Sequence, residues 1–252
     1  TTCESGVPGD TCAPGQPIAL DDATCDGIDD DCDGPLDEDC PLHPLRTDND
    51  GDGKSEAEGD CIDDGPDDRL PAAFDPPAQV FFVDATAAAT SPDGSPENPF
   101  VTIQAALDAT TVDGTTICVL PGSYEGIARI EGRAFLNLVG AGSDQVRLAG
   151  FFHFGDVDDS RIRGFTTNAF FFRNQQDDSD RNVIEKNHFL CEMASSAGAD
   201  PLWSTDLAGS GVFLGNWEHS NVVRDNVFGP NCEYGVYLNQ GGYNRIYRNT
   251  FV

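Results

Sequence analysis

The sequence predicts an all-β chain wound into stacked coils, preceded by a small Asp- and Cys-rich segment that ions and disulfides must order. One motif carries the coil reading: NVIEKNHF (182–189), NVVRDNVF (221–228) and NRIYRNTF (244–251) superpose as Asn, an aliphatic two later, Asn three after that and Phe two further on. A second observation is the spacing. The aliphatic column Leu138, Ile162, Ile184, Val223 and Ile246 steps by 24, 22, 39 and 23 residues, the long step being one period plus an insertion of about 16. The third is texture: from Val80 onward short apolar runs alternate with Gly, Asn and Asp, a strand-and-turn pattern.

A period of 22–24 residues with several short strands fits a β-solenoid, in which each rung hides its inward side chains against the next. A leucine-rich repeat has a similar period, but its L-x-x-L-x-L frame is missing. A second column runs in step: Ala-Phe-Phe-Phe (169–172), Gly-Val-Phe-Leu (211–214) and Gly-Val-Tyr-Leu (235–238). One helix is expected, over 102–109, because NPFVTIQAALDA (98–109) sets Ile103, Ala106 and Leu107 on one face. Its expected task is to cover the open first rung, where backbone groups lack a neighbour. A strand follows in DGTTICVLPGSY (113–124) and stops at Pro121-Gly122.

The helix-bearing GSPENPFVTIQAALDA (94–109), the strand after it and the Asn-rich rungs together resemble the right-handed parallel β-helix (pectin-lyase-like) family, over about two thirds of the chain. The resemblance implies a fold rather than an activity, since this architecture hosts lyases, hydrolases, epimerases and plain binding proteins. Three regions are expected: a Cys/Asp-rich segment over 1–61, a Pro-rich linker over 62–79 and the β-helix over 80–252.

Charge is uneven. The chain of 252 residues has a formal net charge of -30, and residues 1–79 hold 23 acids against 3 bases. So dense an acidic tract repels itself unless cations neutralise it, and the same charge argues against nucleic acid as a partner. Six of the nine cysteines, Cys3, Cys12, Cys25, Cys32, Cys40 and Cys61, fall in the first 61 residues. That density reads as a disulfide framework in an oxidising compartment. A zinc cluster competes, but there is no C-x-x-C pair and His43 is the one nearby histidine. The chain starts at Thr1 without a signal peptide, which is read as a mature N-terminus after export, and no apolar run approaches membrane-spanning length.

The sharpest chemical signal is a doubled D-x-D-x-D-G frame, 29–34 and 48–53. Alternate carboxylates on a short loop aim several oxygens at one centre, and the glycine permits the turn that brings later ligands round. The expected metal donors are Asp29, Asp31, Asp33, the Leu36 carbonyl and Asp37 in the first loop. In the second they are Asp48, Asp50, Asp52, the Lys54 carbonyl, Glu56 and Asp60. Both loops depart from a complete EF-hand, with Cys40 and Gly59 where a bidentate Glu belongs and no flanking helices. Hard oxygen donors favour Ca²⁺ as cofactor. A disordered acidic tail that only solvates is the alternative. The segment 25–40 resembles the MopE-type metal-binding repeat, a family named for a secreted copper-binding protein of methane-oxidising bacteria. That resemblance implies a secreted bacterial origin and a metal, without supplying copper donors here.

Sequence proximity predicts disulfides Cys3–Cys12, Cys25–Cys32 and Cys40–Cys61, with Cys118 buried and free. Cys191–Cys232 is predicted because each cysteine lies just beyond its rung's Phe. Catalytic residues are not assigned. Asp158-Asp159 and Asp177-Asp178, near Arg161, Arg163 and Arg181, would suit glycoside hydrolysis or Arg-assisted elimination, but turn-borne Asp is ordinarily a bend former. Asn187, Asn226 and Asn249 read as an internal ladder rather than a sugar site. Arg163, Glu185 and Arg224 read as a surface charge ladder. His153, His188 and His219 fall on different rungs. Trp203 sits in an insertion that would wall a groove, and Trp217 lies beyond it; packing under the loop competes with stacking on sugars.

The expected function is that of a secreted, calcium-binding structural or adhesive surface protein. The alternative is a calcium-dependent polysaccharide lyase or glycoside hydrolase. The sequence stops inside a rung motif, at Asn249-Thr250-Phe251-Val252. Either the native chain continues or another chain covers that rung, and self-association there would build a filament. An extracellular glycan is the other expected partner.

Overall fold

The computed structural model describes residues 54–62, 72–88, 91–172, 179–192, 209–215 and 218–252. The chain divides into two compact units, Thr1–Thr47 and Asp48–Val252, and all described residues belong to the second.

The described strands pair in parallel throughout. Seven form a first wall in the order β1 (Gln79–Val83), β2 (Thr115–Val119), β4 (Asn137–Gly140), β6 (Arg161–Arg163), β9 (Val183–Glu185), β12 (Val222–Arg224) and β15 (Arg245–Tyr247). Two long strands, β3 (Gly122–Ala134) and β5 (Val146–Asp158), run side by side from Gly122↔Val146 to Ala134↔Asp158. From β5 the sheet divides into two further stacks. One is β7 (Thr166–Thr167), β10 (His188–Phe189), β13 (Val227–Phe228) and β16 (Thr250–Phe251). The other is β8 (Ala169–Phe172), β11 (Ser210–Leu214) and β14 (Tyr234–Leu238). From β6 onward the chain supplies one strand to each stack in turn, so each coil has three walls. Mostly β and parallel, with one α-helix among the described residues, this is the arrangement of a parallel β-helix.

The expected columns are the observed registers. Leu138 pairs with Ile162, Ile162 with Ile184, Ile184 with Val223 and Val223 with Ile246. Val212 pairs with Phe170 and with Val236. Ile117 extends the first column by a further coil. Strand side chains alternate between faces, and the inward members fill the core: Leu138, Ile162, Ile184 and Val223 are all fully buried. Phenylalanines stack along the axis. Phe154 lies on Phe172 at 4.3 Å, and Phe189, Phe228 and Phe251 follow one another at 5.0 Å. Such spacing is close to the strand separation of a sheet, so parallel pairing itself places ring on ring.

Corners are made by left-handed backbone. Lys186, Asp225 and Arg248 occupy one corner column at φ 54°, 56° and 55°. Earlier on that edge Gly140 and Gly164 approach so closely that a Cβ on Gly140 would lie 2.4 Å from the Gly164 carbonyl oxygen. Only glycine fits such an approach.

Helix α1 (Ile103–Ala109) starts at Thr102, whose hydroxyl accepts from the Ala105 N–H at 3.1 Å. It buries Ile103, Ala106 and Leu107, the three residues the sequence set on one face. Its Gln104 side chain meets the backbone of β3 on both polar groups, accepting from Arg129 N–H at 2.7 Å and donating to Arg129 C=O at 3.2 Å. The amide thereby stands in for a strand neighbour at that point.

One disulfide corrects an expectation. Cys61 bonds Cys118, so Cys61 does not pair with Cys40 and Cys118 is not free. Ile117 and Val119 belong to the inner core; alternation puts Cys118 on the outer side of β2, where Cys61 reaches it. The rung alignment survives unchanged. Cys191 and Cys232 form the second described disulfide, joining neighbouring coils. The pairs Cys3–Cys12 and Cys25–Cys32 lie outside the described residues.

Candidate functional site

Most of the expected metal donors, Asp29, Asp31, Asp33, Leu36, Asp37, Asp48, Asp50 and Asp52, lie outside the described residues. The end of the second loop is described. Lys54, whose carbonyl is the expected donor, pairs its ammonium with Asp75 at 3.2 Å. Glu56 opens a short 3-10 helix, Glu56–Glu58. Glu58 accepts from both the N–H and the hydroxyl of Ser55, at 3.0 and 3.1 Å, which closes that turn on itself. Asp60 is 2 % exposed, and its N–H donates to Ser55 C=O at 3.3 Å. One residue later the chain is tied to the coil through Cys61. Among the described residues no three His, Cys, Asp or Glu side chains gather closely enough to hold a metal ion. His153, His188 and His219 sit on different strands or rungs; His219 approaches Asp180 through Nδ1 at 3.9 Å.

The turn carboxylates resolve into cross-rung ion pairs. Arg181 donates through Nε and Nη2 to the two oxygens of Asp159, at 2.7 and 2.8 Å, and through Nη2 to Asp158 at 3.1 Å. Hydrogen bonding to Asp159 raises the guanidinium pKa above its ordinary value. A guanidinium gripped on two sides is held protonated and is unsuited to abstracting a proton. Asp158 also accepts from Asp180 N–H at 2.7 Å, and Asp180 from His219 N–H at 2.6 Å. These carboxylates bond the backbone or side chains of neighbouring rungs. Asp177-Asp178, Trp203 and Trp217 lie outside the described residues.

The asparagines form two ladders, one on each flank of the first wall. Asn187 Nδ2 donates to Ile162 C=O, Asn226 Nδ2 to Ile184 C=O and Asn249 Nδ2 to Val223 C=O. Each of the last two also accepts, through Oδ1, from the backbone N–H of the Asn one rung before it. On the other flank Asn182, Asn221 and Asn244 repeat the device: Asn221 accepts from Asn182 N–H at 2.8 Å and donates to Ser179 C=O at 2.8 Å. Buried corners would otherwise leave these backbone groups without partners. The ladders are therefore occupied internally.

On the outer side of the first wall, Arg163, Glu185 and Arg224 share one register column. The carboxylate of Glu185 is buried and receives Arg161 Nε at 2.7 Å on one oxygen and Arg224 Nε at 2.7 Å on the other. Burial alone would raise the Glu185 pKa; Arg161 and Arg224 outweigh it and hold the carboxyl below its ordinary value. The sequence grouped Arg163 with Glu185 and Arg224, but the partner across the rung is the diagonal Arg161. A different outer column carries rings: His153, Phe171, Phe213 and Tyr237 are in register, with Phe213 stacked on Tyr237 at 5.5 Å.

Residues 156–252, the coils from the end of β5 onward, match the family model described as periplasmic copper-binding protein (NosD). No curated protein and no solved structure matches the chain. No helix among the described residues is long and apolar enough to cross a membrane. The match to a periplasmic family and the two described disulfides fit a secreted or cell-surface protein.

Proposed function

We propose that this chain is a secreted structural or adhesive surface protein in which a calcium-ordered Asp-rich segment precedes a rigid β-helix. The observation that carries the reading is the doubled D-x-D-x-D-G frame, set in a segment with almost no apolar runs. Such a segment has no core to hold it, so bound cations supply its order. The second frame runs directly into residues 54–61, and Cys61 is bonded to the outer side of β2, which tethers the end of that loop to the coil. The matched family's name speaks of copper, so copper is the competing metal. Calorimetric titration of the metal-stripped chain with Ca²⁺ and with Cu²⁺ separates the two. Calcium binding that disappears when Asp48, Asp50 and Asp52 are changed to Asn supports the proposal. Copper binding without calcium binding overturns it.

A further inference from the structure

Among the described strands β3 pairs with β5 alone, so its other edge has no strand beside it. That edge is 13 residues long, and helix α1, of 7 residues, lies against it. A strand rises about 3.3 Å per residue and a helix about 1.5 Å, so the helix spans at most about a quarter of the strand's length. An uncovered edge is a template for an added strand, with main-chain bonds giving affinity and flanking pockets giving specificity.

The second half of this edge is closed at two points and open between them. Arg129 has both its N–H and its C=O bonded to the Gln104 amide. Further on, Ala134 N–H donates to Asp113 Oδ1 at 3.1 Å and Ala134 C=O accepts from Gly114 N–H at 3.4 Å. Between them stands Glu131. The register from Gly126↔Gly150 to Glu131↔Gly155 is unbroken, and residues two apart on a parallel strand turn their peptide groups to the same edge. The N–H and C=O of Glu131 therefore face the same way as those of Arg129. At that place α1 and β3 enclose a cleft of about 360 Å³, within the range of small-ligand sites. Leu107, Ile130 and Leu136 line it with apolar surface, and Asp108, Glu131 and Arg133 bring charge. Arg133 donates to Thr110 C=O at 2.8 Å and to Gly132 C=O at 2.9 Å. Both acceptors are neutral, so the guanidinium is held in place without a carboxylate among the described residues. Asp108 accepts from Gln104 Nε2 at 2.7 Å through one oxygen, and Glu131 is exposed.

We propose that this cleft binds the C-terminus of an extended peptide, with the terminal carboxylate on Arg133 and the last peptide group on Glu131 N–H and C=O. A guanidinium fork matches a carboxylate bidentately. The Gln104 amide shows what the edge accepts: a planar amide meets Arg129 with one donor and one acceptor, and a peptide group offers Glu131 the same pair. A simple carboxylic acid would lack the donor for Glu131 C=O. The apolar lining takes the C-terminal side chain, and the Asp108 and Glu131 carboxylates favour a cationic side chain upstream. A second copy pairing β3 with β3 does not fit, because Gln104 already holds the middle of the edge. The cleft uses none of the expected metal donors, so it stands independently of the calcium reading.

The test is calorimetric titration of the full chain with the peptide acetyl-Lys-Ala-Leu bearing a free carboxylate. The same peptide amidated at its C-terminus and acetyl-Glu-Ala-Leu serve as controls. Saturable binding of the first is expected, with affinity lower by about tenfold for the amidated control and by several-fold for the acidic one. Arg133→Gln should lose about tenfold for the free acid and bind acid and amide alike, a pattern that general loss of structure does not produce. Hydrogen exchange supplies a second readout: the peptide should slow exchange at the Glu131 amide and leave that of Arg129, already bonded to Gln104, unchanged. Thermal unfolding of each variant is measured alongside. Should Arg133→Gln fail to fold, Arg133→Lys decides, since it retains charge without the fork and should show a several-fold loss. Absence of saturable binding, equal or tighter binding of either control, unchanged affinity in the substituted chains, or a Glu131 amide that the peptide does not protect overturns the proposal.

Discussion

The early and late coils of this protein solve the same problem by different means. In both, strands must turn corners while their backbone groups are buried. The late coils, from β6 onward, repeat one device: an Asn at each flank of the first wall, whose side chain donates to a carbonyl of the preceding rung and accepts from a backbone N–H of that same rung. The early coils have no such repeat. There the corners are held one by one, by Tyr124 donating to Leu120 C=O at 2.8 Å, by Gln104 on β3 and by the Cys61–Cys118 bond. A repeated device allows strands of two or three residues, because the ladder does the work of length. Individual devices accompany the long β3 and β5, of 13 residues each. Repeat proteins gain stability from nearest-neighbour interfaces, and the ladder is such an interface made polar.

The largest effect on this contrast is expected from emptying the interior of the late coils. Phe170 is fully buried and touches Phe152, Phe154 and Phe189 in edge-on geometry. Phe170→Ala should cost about 3–5 kcal/mol in denaturant unfolding, the range for a buried aromatic.

The ladder itself is the sharper test. Asn226→Ala removes the acceptor of Asn187 N–H and the donor to Ile184 C=O, both buried. The loss should be about 2–4 kcal/mol, since stranded buried polar groups carry their desolvation cost. Asn137, in an early coil, makes one long side-chain hydrogen bond, to Thr116 Oγ1 at 3.4 Å. Asn137→Ala should therefore cost under about 1 kcal/mol. Equal losses at the two positions would erase the distinction between the coils.

Tyr124 is the early-coil counterpart. Burial pushes its phenol up to about 12, above the unfolded value near 10. A raised pKa means the folded chain holds the proton more tightly. The associated stability is fully present below pH ~10 and drains as pH rises toward 12. Tyr124→Phe should remove that alkaline loss and lower stability by about 1–3 kcal/mol at neutral pH, followed by thermal unfolding across pH 8–12.

The smallest expected effect concerns the acid limb. Arg161 and Arg224 keep Glu185 below its ordinary pKa in the folded chain. Its contribution is present above the unfolded value near 4.3 and is lost as pH falls through the lower folded value. Replacement by Gln should flatten this part of the acid profile while lowering stability at neutral pH, where Arg161 is left without its carboxylate.

Legibility in the sequence followed the same division. The late coils announced themselves because each ladder rung demands the same residue at the same offset, so Asn182, Asn187 and their successors mark the corners directly. Helix α1 was legible from Ile103, Ala106 and Leu107. The early coils were harder, since Gln104 and Tyr124 each act once and leave no repeat to notice. The sequence placed Asp158 and Asp159 on turns near Arg181, but only the fold showed that Arg181 pairs with both.

By itself, the sequence determined the coil period, the inward columns and the polar ladder, because those follow from parallel in-register stacking, which brings like positions together whatever the loops between them do. Tertiary structure alone decided the outer pairings. Cys61 meets Cys118 across 57 residues, Glu185 takes Arg161 rather than its in-register neighbour Arg163, and Arg248 comes over Tyr247 beside Arg245. The physical reason is reach. Inward side chains are confined to their own column by close packing, whereas long outward side chains swing to a diagonal partner, and that choice depends on what covers the surface.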